Sequence, residues 1–161
     1  MRIGVLVGIV VAVVVVIAFL LYFIFYLSFQ YPRIVSMKFT LSGVSLSGAS
    51  FDMYVGLENP NPYTVSIIGF TISVEYSDGV SATFNPAYLP IELSSYGYNE
   101  TVLTTFISYS DYMQMVMNPP TSSVITMTMT VKTPIGIRTI TCEQTVYTSA
   151  SQTTPMTCTT R

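Results

Sequence analysis

The stretch Phe51-Asp52-Met53-Tyr54-Val55-Gly56-Leu57-Glu58-Asn59-Pro60-Asn61-Pro62 decides how this chain is read. Phe51, Met53, Val55 and Leu57 alternate with Asp52, Tyr54, Gly56 and Glu58, the period of a half-buried strand. Asn59 to Pro62 then stops it. Each proline removes a backbone donor and pushes the residue before it out of the helical region. Neither a ladder nor a helix continues through that tetrapeptide, so the chain must turn away.

Working outward, the same alternation recurs on both sides. Upstream, Met37, Phe39 and Leu41 alternate with Lys38, Thr40 and Ser42 in a first strand, and Gly43 allows a bulge before Val44 and Leu46. Downstream, Ile68, Phe70, Ile72, Val74 and Tyr76 share one face of a third strand, closed by the turn Ser77-Asp78-Gly79. Short strands are expected around Val80–Phe84 and Tyr88–Leu93, separated by Asn85-Pro86, and another from Glu100 to Ile107. One short helix is expected from Asp111 to Met117, with Asp111 as its cap, Gln114 as reciprocal partner and Asn118-Pro119-Pro120 as its stop. Ile125, Met127, Met129 and Val131 alternate with threonines and Lys132. A last strand puts Ile140, Cys142 and Val146 opposite Thr141, Glu143 and Thr145. Seven or eight such strands with regular turns predict an all-β, immunoglobulin/fibronectin-like antiparallel β-sandwich with one short helix.

Ile3 to Leu27 is an uncharged apolar run of about 25 residues, where a bilayer core of about 30 Å asks for about 20. It predicts a single transmembrane helix in contact with a lipid bilayer through residues 3–27. Tyr22, Phe25, Tyr26, Phe29 and Tyr31 stand where an interfacial aromatic belt would. A cleaved signal peptide is the competing reading, but it wants a shorter apolar region and a small-x-small site. Gly4 and Gly8 match the small-xxx-small packing motif and give a route to weak self-association. Three segments follow: a membrane anchor over 1–29, a sandwich over 30–147 and a Ser/Thr-rich tail over 148–161. Few lysines, many hydroxyls, two cysteines and the sequon Asn99-Glu100-Thr101 point to a domain outside the cytoplasm, with Asn99 as a candidate glycosylation site.

Half of the 161 residues are hydrophobic, 9% are charged and the net charge is −2. That balance supplies no clustered Lys/Arg for DNA or RNA. Histidine is absent, which removes the commonest general base and zinc ligand. Carboxylates are scattered singly; Glu75 and Asp78 read as a strand-end acid and a turn Asp. No catalytic, cofactor or metal site is expected. Cys142 and Cys158 allow two readings. They close a disulfide worth about 3 kcal/mol that pins the tail, or Cys142 is buried and Cys158 is free.

A strand ending in Asn59-Pro60-Asn61, a long strand ending at Asp78-Gly79, a Leu-Pro-Ile strand, a short helix and a final hairpin together resemble the LEA type 2 domain (late embryogenesis abundant, also called water stress and hypersensitive response, WHy). The likeness covers roughly Ile34 to Val146, and the chain departs from the family in its low charge and Cys-containing tail. The resemblance implies a sandwich fold and no catalytic residues. It also implies a non-enzymatic, membrane-anchored domain with a binding, envelope-protective or stress-related role and an unknown protein or envelope partner. A pilin-like or other surface filament subunit also begins with an apolar helix ahead of a β domain. It would need a charged leader, and here only Met1-Arg2 precede Ile3.

Overall fold

Period-two alternation with β-branched residues on the inward positions makes strands, and in the computed structural model they dominate. The structure describes the backbone of residues 2–147 and 154–161, with side chains for residues 11–24, 28–147 and 154–161. The chain divides into two units, Met1–Gln30 and Tyr31–Arg161.

The first unit holds helix α1 (Arg2–Ser28), with the rings of Phe19 and Phe23 stacked at 6.4 Å. Among the described residues, no helix is long and apolar enough to cross a membrane. This finding overturns the single-pass membrane localisation expected from residues 3–27, and with it the transmembrane helix ahead of the sandwich. The Gly4 and Gly8 motif lies outside the described side chains.

The second unit is an antiparallel β-sandwich. Its strands are β1 (Arg33–Ser45), β2 (Gly48–Glu58), β3 (Val65–Tyr76), β4 (Ser81–Pro86), β5 (Ile91–Leu93), β6 (Tyr98–Ser108), β7 (Ser122–Thr133), β8 (Gly136–Tyr147) and β9 (Thr157–Thr160). Helix α2 (Tyr109–Met117) stands between β6 and β7. The strands are joined in the order β1-β2-β6-β4-β3-β7-β8-β9, with β5 also on β3. One layer is β1, β2 and β6, and the other is β5, β3, β7, β8 and β9. Between them Met53, Val55, Leu57 and Leu103 from the first layer meet Val65, Ile67, Phe70, Met129 and Val131 from the second, all buried.

Strand β4 belongs to both layers. Ser81 to Phe84 pair with β3, and then Asn85 and Pro86 pair with Thr104 and Leu103 of β6. Asn85-Pro86 was expected as a break; instead it carries the chain from one sheet to the other, as strands at sandwich corners do. Once β4 has peeled away, Ile91 to Leu93 of β5 take its place along β3.

Two further expectations are corrected. The inward face of β3 changes phase because its register slips between Ile67 and Gly69. Ile67 is therefore buried and Ile68 exposed, since one extra residue in a strand turns the following side chains over. Helix α2 starts earlier than Asp111, with Ser108 as its cap accepting from the Asp111 amide. The Ser108 hydroxyl also donates to Asp111 Oδ2 at 2.7 Å, so Asp111 braces the capping serine and is not itself the cap. Gln114, freed from that role, donates to the carbonyl of Asp78 at 2.8 Å. Part of the tail is ordered as β9, in line with the reading in which Cys158 pins it.

Candidate functional site

The Asn59-Pro60-Asn61 motif is a structural knot. Asn59 and Asn61 have no solvent exposure. The Asn59 amide nitrogen Nδ2 donates to the carbonyls of Tyr63 (2.8 Å), Leu93 (3.2 Å) and Ser94 (2.8 Å). Its Oδ1 accepts from the backbone N–H of Asn61 at 3.0 Å and from Asn61 Nδ2 at 2.9 Å. Backbone bonds from Asn59 N to Gly97 O and from Tyr96 N to Asn61 O complete the tie. The turn that the prolines force after β2 is thereby locked to the loop between β5 and β6. Every polar atom of the Asn59 side chain is spent on the fold, so this motif has nothing to offer a ligand.

Cys142 and Cys158 are bonded, with sulfurs 2.07 Å apart, and they stand opposite each other in the β8–β9 ladder. Asn99 is half buried on β6. Its Nδ2 donates to Glu92 O at 3.2 Å and its Oδ1 accepts from Glu100 N at 2.9 Å. Thr101, the third residue of the sequon, is fully buried, and its hydroxyl has no hydrogen-bond partner. Of the sequon, Thr101 is thus turned toward the interior while Asn99 keeps part of its surface and Glu100 is exposed.

Chemistry needs convergent reactive groups, and the carboxylates do not converge. Among the described residues no group of three His, Cys, Asp or Glu could hold a metal ion. Among the described residues the perturbed ionisable groups are phenols. Burial pushes Tyr76 above the usual tyrosine range, and the carboxylate of Asp78 adds to the shift. Tyr31 and Tyr63 are also raised by burial, partly offset by the Arg138 guanidinium. All three are explained by packing.

One of the surface concavities is apolar. The β1–β2 hairpin runs past the body of the sandwich, so the core-side residues at its far end, Leu41, Val44, Ala49 and Phe51, have no opposing sheet. Helix α2 leans over them with Tyr109 and Tyr112. Together they line a cavity of about 310 Å³, within the range of small-ligand sites and lacking any charged group. The hairpin and helix are held in place locally. Tyr109 N donates to Ser47 O at 2.8 Å, and Ser45 Oγ donates to Gly48 O at 3.1 Å. Gly48 is required there: a Cβ would sit 2.2 Å from the carbonyl oxygen of Ile107. Sequence reading missed this groove because the alternation of Leu41, Val44 and Phe51 looks like ordinary core. The one signal was Leu46, an apolar residue beside a turn, which is fully exposed.

No known family's sequence pattern matches the chain, and no curated protein does. Solved structures do. The solution structure of an Arabidopsis thaliana protein matches at 12% identity with a TM-score of 0.50, over 74% of this chain and 83% of that one. The crystal structure of a protein from Archaeoglobus fulgidus matches at 11% identity and a TM-score of 0.44, over 80% of this chain and 94% of that one. The solution structure of a putative late embryogenesis abundant protein matches at 16% identity and a TM-score of 0.43, over 73% and 70%. At such identities the likeness is one of fold, and it is carried here by the Arabidopsis structure.

Proposed function

We propose that the chain is a non-enzymatic LEA type 2-like domain with a stress-related binding role, and that its binding surface is the apolar groove between the β1–β2 hairpin and α2. The observation that carries the reading is the pairing of a rigid, knotted sandwich with an open, uncharged groove. Asn59 and Asn61 are consumed in fixing the turn after β2, whereas Leu41, Val44, Phe51, Tyr109 and Tyr112 have apolar surface left to give. Exposed apolar surface rimmed by polar residues marks interaction sites on folded proteins. The groove suits apolar side chains that other proteins expose when they begin to unfold. The surrounding hydroxyls of Ser and Thr keep the domain hydrated without charge. The structural neighbours do not favour the pilin-like alternative.

The test is protection of a labile client enzyme. With the full-length chain present in modest molar excess, the client should keep more activity after drying or freeze–thaw than with an equal mass of an unrelated β-sandwich protein. Replacing Val44 and Tyr112 by Ser should remove most of that benefit while leaving the far-ultraviolet spectrum unchanged. Equal protection by the unrelated protein, or full protection by the variant, would refute the groove's role.

A further inference from the structure

The joined sheets end at two edges of opposite character. Strand β9 is four residues long and polar, and the hydroxyls of Thr157 and Thr159 donate back to β8 carbonyls. Strand β1 is thirteen residues long. Its Met37, Phe39 and Leu41 lie on the core side, opposite Val55, Met53 and Phe51 of β2, yet they are 52%, 61% and 54% exposed. Phe39 reaches one ring, Phe84, edge-on at 5.9 Å. A long edge with unpaired N–H and C=O groups and an uncovered apolar row is a template for another strand.

We propose that β1 pairs antiparallel with β1 of a second copy of this chain, about a two-fold axis at Phe39, so that two sheets become one. The register itself selects a second copy. Breaks at Val35 and Ser42 bound a regular segment from Ser36 to Leu41, and of the symmetric, face-matched registers within it, those centred on Lys38 and Phe39 pair the longest stretch. The register centred on Lys38 sets two ammonium groups against each other, which is destabilising for directly opposed residues. The register centred on Phe39 sets Phe39 against its counterpart, Met37 against Leu41 and Lys38 against Thr40. Every core-side pair is then apolar and no like charges meet. A two-fold contact of this kind uses the same patch on both copies and closes on itself.

The test uses the full-length chain, in which both native cysteines are bonded, so an introduced cysteine is the reactive thiol. Under mild copper-catalysed oxidation, Phe39→Cys should form a disulfide-linked dimer at least about ten-fold faster than Lys38→Cys, whose side chains sit diagonally. A mixture of Lys38→Cys and Thr40→Cys should give the mixed dimer in preference to either self-linked one. Phe39→Asp should weaken association of the chain at least about ten-fold by sedimentation, because it opposes two carboxylates on the axis. Association through α1 instead would give dimers with no preference for position 39 over 38, and that result overturns the proposal. So does a chain that sediments as a monomer at micromolar concentration. Client protection is read separately, so either idea can fail without the other.

Discussion

At the scale of single residues, Asn59 holds the most interactions for its size. Five hydrogen bonds through its side chain bind three carbonyls and two N–H groups in a place with no solvent exposure. Asn59→Ala leaves those groups unpaired, and a buried unsatisfied polar group costs about 1–3 kcal/mol. We expect a loss of about 3 kcal/mol or more in urea unfolding. Asn59→Asp should do no better, since its second oxygen would face carbonyl oxygens where Nδ2 donates. Recovery of wild-type stability by Asn59→Asp would show that Nδ2 matters less than this account requires. The sequence announced a stop at this position through its prolines. It did not announce the bonds to Leu93 and Ser94, because those partners lie 34 and 35 residues away.

At the scale of elements, β9 is the strand least able to stand alone. All four of its residues are exposed, and its ladder to β8 covers four residue pairs. The bond between Cys142 and Cys158 closes a separation of 16 residues, for which loop-closure entropy gives about 3 kcal/mol. Reduction should lower the unfolding free energy by about that amount, and the amides of Thr157 to Thr160 should lose hydrogen-exchange protection before those of β2. Undiminished protection in β9 after reduction would mean that the ladder suffices without the bond. Element types and their order were largely legible in the sequence, because alternation reports burial locally. Their details were not. The slip at Ile68 depends on how β7 seats against β3, and the switch of β4 at Asn85-Pro86 depends on β6 arriving to receive it.

At the scale of the whole molecule, stability should depend on pH through its partly buried phenols. Tyr31, Tyr63 and Tyr76 are all raised from 10.0, chiefly by burial. A group whose pKa is raised by folding holds its proton more tightly in the folded state. Its contribution is complete below the unfolded value and is lost as pH rises through the folded one. Urea midpoints should therefore fall as the pH passes about 10, and Tyr76→Phe should make the fall shallower. Midpoints that stay level through pH 11 would show that these phenols do not share the environment described. At this scale, too, the groove and the β1 edge emerge, since both are places where the pattern of a core strand meets no opposing layer.

By itself, the sequence determined the alternating strands, the stop at Asn59 to Pro62, the short helix before Asn118-Pro119-Pro120 and the absence of histidine chemistry. These are local or compositional, and side-chain period and backbone restriction act within a few residues. Only the tertiary structure decided which apolar faces are covered. Leu41 and Leu57 have the same period and similar neighbours along the chain, yet Leu57 is wholly buried and Leu41 is more than half exposed. The difference is the second sheet, which lies over one end of the β1–β2 hairpin and not the other. Burial of a strand's face is a property of what packs against it, and that partner is supplied by residues far along the chain.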